Sequence, residues 1–188
     1  MAAVVFVSIP VAAQTLTVGG QVVTTTAGPF EAVDVGVGGR VSWRLLSILD
    51  VEGEADLYPG GFPGTPAMSR RRMEVYGGVT VGLRLGRVRP FARVRPGLVV
   101  WGEAPGPFAC IAIYPPPLAC VMARGQTTAA FDLGGGVEVG MTSRTVLRVD
   151  AGDRLVRYPG PSLDRRQRRD GAFLGHQFRL AVGAGVRF

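Results

Sequence analysis

The chain has 188 residues, 28 of them glycine, and a net charge of +7. That length suits one domain, and beyond the first dozen residues no apolar run approaches the ~18 residues of a membrane helix, so any membrane crossing would be made with strands. Every one of the 21 basic residues is arginine, and most are spread along alternating segments rather than gathered into one patch, which argues against nucleic-acid binding.

The start, "MAAVVFVSIPVAAQ", is apolar for about a dozen residues and reaches Val11-Ala12-Ala13 before Gln14. This reads as the apolar region and cleavage site of a secretory signal peptide over residues 1–13, although the usual basic residues do not precede it. The mature domain would then span 14–188.

From Gln14 onward the dominant pattern is period two, the signature of strands. It predicts eight of them, over 15–24, 31–43, 47–58, 73–85, 88–101, 127–141, 145–157 and 176–188. No segment carries a helical period. The connections at 44–47, 86–87 and 142–144 are short, and the one after the first strand, "TTAGPF", is moderate. Those at 59–72, 102–126 and 158–175 are long and rich in Pro, Gly and Arg. Tight turns at one end and long loops at the other is the hairpin plan of a transmembrane β-barrel.

Each strand sorts into two faces. On the second, Val33, Val35, Val37, Val41 and Trp43 oppose Asp34, Gly36, Gly38, Arg40 and Ser42. On the third, Leu49, Val51, Ala55 and Leu57 oppose Asp50, Glu52, Glu54 and Asp56. On the fifth, Val88, Ala92, Val94, Leu98 and Val100 oppose Arg89, Phe91, Arg93 and Arg95. The last strand, "HQFRLAVGAGVRF", sets Phe178, Leu180, Val182, Val186 and Phe188 against Gln177, Arg179, Gly183 and Arg187.

A soluble barrel of lipocalin type buries its apolar face, whereas a membrane barrel turns that face outward. The polar face decides between them. It mixes acids and arginines with glycines, as a narrow eight-strand interior requires if long side chains are to lie beside small ones. Charges inside must be paired. The expected interior ion-pair network is Arg40, Glu52, Glu54, Arg93, Arg95, Glu138 and Arg148. The apolar face is mostly Val, Leu and Ala, which suits lipid better than a soluble core. The fold class is therefore all-β, an eight-stranded antiparallel up-and-down transmembrane barrel. Pro90 and Pro96 on the fifth strand put its register in question and mark candidate bulges.

With the signal-like start, eight strands, alternating short and long connections and the terminal "AVGAGVRF", the chain resembles the small outer-membrane β-barrels of the OmpA, OmpX and OmpW kind. The resemblance covers essentially all of residues 14–188. It implies an integral protein of the bacterial outer membrane with long loops outside and short turns in the periplasm. It implies contact with outer-membrane lipid and lipopolysaccharide, recognition of the terminal aromatic Phe188 by the outer-membrane assembly machinery, and a monomer. No further segment follows Phe188, so the peptidoglycan-binding domain that some relatives carry is not expected.

Four groups of residues are candidates for chemistry or contact. Cys110 and Cys120 flank "IAIYPPPLA" in a long connection, and in an oxidising compartment they are a candidate disulfide; their spacing lacks the paired ligands of a zinc site. His176, the only histidine, has Ser162 and Asp170 as its nearest candidate partners, too loose a set to predict an enzyme. The arginines of "SRRRM" (Arg70, Arg71, Arg72) and of "DRRQRRD" (Arg165, Arg166, Arg168, Arg169) fall in long connections, where guanidinium groups suit lipopolysaccharide phosphates. Trp43 and Phe188 at the short-turn end, and Phe30 at the other, are the candidate aromatic girdle. Tyr58, Trp101 and Tyr158 also lie near the long-loop end, the first two on the inward phase. No cofactor or metal is expected. The reading is a structural or interaction barrel with a charged, closed interior. Its rivals are a narrow pore for small solutes and a soluble ligand-binding barrel.

Overall fold

The computed structural model describes residues 15–27, 32–59, 71–103, 124–159 and 171–188. The candidate signal segment, Phe30, Arg70, Arg165, Arg166, Arg168, Arg169, Ser162, Asp170 and both cysteines lie outside them. Every regular element among the described residues is a strand. They are β1 (Leu16–Ala27), β2 (Ala32–Arg44), β3 (Leu49–Tyr58), β4 (Arg72–Gly82), β5 (Val88–Glu103), β6 (Arg124–Gly140), β7 (Thr145–Tyr158) and β8 (Phe173–Arg187). Each pairs antiparallel with its sequence neighbours, and β8 closes on β1, giving a closed barrel. Closure leaves no unpaired edge.

The register sets the shape. From Leu16 the cross-strand partners run through Trp43, Val51, Val79, Val94, Leu133, Asp153 and Phe178. Phe178 then bonds Thr26, ten residues further along β1 than the start. This stagger tilts the strands, and with eight of them the interior is just wide enough to be filled by side chains.

Alternation along the strands separates two surfaces. Val33, Val35, Val37, Val41 and Trp43 on β2, and Phe178, Leu180, Val182 and Val186 on β8, all point outward and are exposed. The side chains pointing inward include 23 buried polar or charged residues. A water-soluble barrel would have the reverse arrangement.

The strands run further toward the long connections than their apolar alternation predicts. β1 continues to Ala27, β5 to Glu103, β6 begins at Arg124 and β8 at Phe173. Several of the added residues, such as Gly102, Glu103, Arg124, Gly125 and Gln126, are polar or small, so the backbone ladder there extends past the apolar band. Opposite them the connections are tight. Leu85 and Val88 exchange backbone hydrogen bonds around Gly86, whose φ of 65° is the left-handed conformation glycine adopts most readily. At the β6–β7 turn the Thr142 hydroxyl accepts the N–H groups of Arg144 and Thr145 at 3.2 and 2.9 Å.

The prolines of β5 make no bulge. Pro90 faces Val137 and Pro96 faces Phe131 in an unbroken β5–β6 register. On the other side Tyr76 faces Gly97 and Val79 faces Val94, with two residues between on each strand. Leu83 donates its N–H to the Pro90 carbonyl at 3.1 Å, so the polar edge of Pro90 faces β4. Pro96 has the same parity. The missing donors therefore fall on the β4 side, one of them beyond the end of that strand, and the ladder tolerates them without an inserted residue.

Candidate functional site in the barrel interior

The middle of the lumen holds five guanidiniums and five carboxylates: Arg40, Arg93, Arg95, Arg148 and Arg179 with Glu52, Glu54, Asp56, Asp132 and Asp150. Arg95, 0% exposed, reaches the farthest. Its Nη1 donates to Glu52 and Glu54, both at 2.7 Å, and its Nη2 to Asp132 at 2.7 Å. Arg93 donates through Nε to the same Asp132 oxygen at 2.8 Å and pairs with Asp150. Arg148 binds Glu52 and, at 2.9 Å, Asp150. Arg179 bridges Glu54 and Asp56. Gln21 stitches in two more members: its amide donates to Asp56 at 2.7 Å and its carbonyl accepts from Arg40 at 3.0 Å. Equal numbers of opposite charges, with forks of donors meeting pairs of oxygens, are what a low-dielectric interior requires.

Above this mesh, toward the long connections, lies a second layer. Arg154 pairs with Glu74 and with Gln177. The Tyr76 hydroxyl donates to Glu74 at 3.3 Å. Arg72 pairs with Glu74 at 2.9 Å and Asp34 at 3.4 Å, donates to the Thr25 hydroxyl at 2.8 Å, and lies 3.8 Å from the centre of the Tyr58 ring. Tyr76, Val99, Trp101, Ala130, Val156, Tyr158 and Phe173 form a buried apolar cluster there, with the Tyr158 and Phe173 rings stacked at 5.3 Å. Below the mesh, Asp50 pairs with Arg44 and Arg89, and Glu138 with Arg187.

All seven residues predicted for the interior network point inward and are buried. Six of them belong to the mesh, and Glu138 belongs to the lower layer. The predicted network left out Asp132, Asp150 and Arg179 in the mesh and Arg154 and Glu74 above it, although each sits on the polar parity of its strand; Asp56, on the acidic face of the third strand beside Glu52 and Glu54, joins the mesh as that face implies. Arg72 is a correction. It does not belong with the loop arginines, because β4 begins at Arg72 rather than at 73, and even parity turns its side chain into the lumen, 1% exposed. Arg71 is exposed at the rim.

Trp43 and Phe188 are 46% and 75% exposed at the short-turn end, whereas Tyr58, Trp101 and Tyr158 are buried inside. The outward aromatics of β6 and β8 are Phe131 and Phe178. His176 does have an acidic partner, though a different one from Asp170. Its Nδ1 lies 2.7 Å from an oxygen of Asp153, on the outer surface of β7 and β8. The register sets Phe178 opposite Asp153 and Phe131 beside Leu155, so this polar pair interrupts an apolar face. Among the described residues no group of three or more His, Cys, Asp or Glu is arranged to hold a metal.

No protein-family model and no curated protein matches the chain. Solved structures do. The N-terminal β-barrel domain of Pseudomonas aeruginosa OprF aligns with a TM-score of 0.56 at 10% identity over 93% of this chain and 97% of that one. Neisserial surface protein A aligns at 0.55 and 13% identity with the same coverage. The fold is that of the small outer-membrane β-barrels. Ail of Yersinia pestis, in its complex with the heparin analogue sucrose octasulfate, also aligns, at 0.50 and 12% identity.

Proposed function

We propose that the chain is an integral outer-membrane barrel, closed to solutes, whose role is structural and interactive. One observation carries this reading: the cross-section is filled by a neutral, mutually paired set of arginines and carboxylates, inside a wall whose outer surface is apolar. An apolar exterior of Val, Leu and Phe side chains is stable against lipid and unstable against water. An interior whose charges are consumed by one another offers no lining for a hydrated path. The proposed orientation has the long connections at the cell surface and the short turns in the periplasm, and the asymmetry of the connections supports it.

At the surface end, Arg71 and the arginines of the long connections, Arg70, Arg165, Arg166, Arg168 and Arg169, are the proposed contacts for lipopolysaccharide phosphates. The full chain refolded into planar bilayers should give no discrete conductance steps. Stable open-channel steps would replace the closed reading with that of a narrow pore. In vesicles, lipopolysaccharide in the outer leaflet should raise the unfolding temperature, and Arg71→Gln combined with Arg165→Gln and Arg166→Gln should reduce that gain. An equal gain in the variant would remove the lipopolysaccharide contact while leaving the barrel reading intact.

A further inference from the structure

The short-turn mouth of the barrel differs from the mesh above it because its charges do not balance. Arg44, Arg84, Arg89, Arg144 and Arg187 gather around two carboxylates, Asp50 and Glu138. Both carboxylates are already engaged, Asp50 by Arg44 and Arg89 and Glu138 by Arg187. Among the described residues Arg84, Arg87 and Arg144 make no ion pair. A cleft of about 760 Å³ opens here, lined by Thr15, Arg84, Ser143, Arg144, Arg187 and Phe188 among others.

Two guanidiniums at this mouth hold buried donors without a hydrogen-bond partner, as Arg72, Arg154 and Arg179 also do higher in the lumen, and here they coincide with a surplus of arginine over acidic side chains. Arg89 is 2% exposed; it spends Nη1 on Asp50 at 2.5 Å, and its Nε and Nη2 have no hydrogen-bond partner. Arg187 pairs with Glu138, yet its Nε is also buried without a partner. Buried donors left unpaired cost free energy, more so when charged, and native structures rarely carry several together. Burial and the Arg44 and Arg187 guanidiniums push the Arg84 pKa below the ordinary arginine value, with Glu138 acting in the other direction. This places Arg84 in the same field of excess positive charge.

We propose that this mouth is a binding site for a phosphate-type oxyanion, held in the cleft by Arg84, Arg144 and Arg187, with the buried Arg89 adding positive charge behind them. A tetrahedral oxyanion presents several acceptor oxygens to converging planar forks, the geometry in which guanidinium binds phosphate best. It would supply both the missing negative charge and an acceptor on the side of Arg187, whose Nε is left without a partner. A carboxylate, with two oxygens, would leave more of these donors unused. The phosphate is either free or the headgroup phosphate of an anionic lipid, and the lipid source rests on the membrane reading above.

The test uses the full chain refolded in a neutral detergent. Inorganic phosphate is titrated at constant ionic strength against chloride, and phosphatidylglycerol retention is read by native mass spectrometry against phosphatidylcholine. The double variant Arg84→Gln, Arg144→Gln takes no part in the ion-pair layers, so it should keep the heat-sensitive gel mobility of the closed barrel. Arg157→Gln, at the opposite end, is the control. The proposal expects at least one ligand to bind the parent chain and the double variant to lose about ten-fold in affinity, the scale of a lost charged hydrogen bond, with the control unchanged. Phosphate binding identifies a free-anion site, and phosphatidylglycerol retention alone identifies a headgroup site. If neither ligand distinguishes the double variant from the parent by more than about two-fold, the proposal is overturned. Gel mobility, read on the same samples, reports separately whether the barrel itself is intact.

Discussion

At the scale of single residues, the interior behaves as a set of shared charges rather than as separate pairs. Arg95 is the clearest case, since it serves Glu52, Glu54 and Asp132 together. Arg95→Ala should destabilise the barrel by about 3–5 kcal/mol, because three buried carboxylates lose a counter-charge at once. Arg95→Lys keeps the charge but loses the planar fork, and should fall between the two. Urea titration of refolding in detergent measures both, and an Arg95→Ala barrel as stable as the parent would dismiss the mesh as a stabilising element. The outer surface gives the opposite expectation at Asp153. A carboxylate there lies on the outer face, which the proposed function sets against lipid, and among the described residues its ion-pair partner is His176. Asp153→Leu should stabilise the barrel in bilayers by about 1 kcal/mol, the direction expected when charge leaves the lipid face of a barrel. His176→Ala, which strands the carboxylate, should destabilise it in the same assay.

At the scale of elements, neighbouring strands fit through glycines set against aromatic rings. Gly36 lies opposite Tyr58, and a Cβ built on it would come within 2.7 Å of the ring. Gly97 lies opposite Tyr76 in the same way. Gly36→Ala and Gly97→Ala should each cost about 1–3 kcal/mol, the range for overpacking a filled interior. Gly53 and Gly77 face outward with open space beside them. Alanine there should be neutral or stabilising by about 0.5–1 kcal/mol, because a strand glycine gives up more conformational freedom on folding. Equal effects of the inward and outward substitutions would mean that ring packing does not discriminate. The inward and outward parity of these strands was legible in the sequence, because alternation is local. The strand ends toward the long connections were not, since Arg72, Gln126 and Phe173 extend the ladder by backbone hydrogen bonds and without apolar alternation. Nor was the behaviour of Pro90 and Pro96. Whether a proline inserts a residue depends on the register of its neighbours, which only the paired strands reveal.

At the scale of the whole molecule, closure is the property that the remaining measurements read. Unboiled, the refolded chain should migrate faster on a denaturing gel than the boiled sample, as a closed barrel with every strand paired resists the detergent. Identical mobility, together with solubility in plain buffer, would mean that the two faces have been assigned the wrong way round. The partners inside the barrel were not legible in advance. Arg179 and Glu54 are 125 residues apart in the chain, and Arg148 and Glu52 are 96 apart. Sequence shows which residues point inward, and only the fold shows which of them meet across the lumen.

The mesh also divides the polypeptide into two electrically unlike halves. Among the buried side chains of the described residues, β1 to β4 contribute six carboxylates and two arginines, while β5 to β8 contribute six arginines and three carboxylates. If the two halves form before the barrel closes, the concave side of each would carry an excess of one sign, which would draw unlike halves together and repel a second copy of the same half. Attraction of this kind acts over about one Debye length, about 10 Å at 0.1 M salt, comparable to the width that must be spanned. Refolding should therefore slow as sodium chloride is raised, even though the finished barrel, with its charges already sealed from solvent, should unfold at a rate that barely responds to salt.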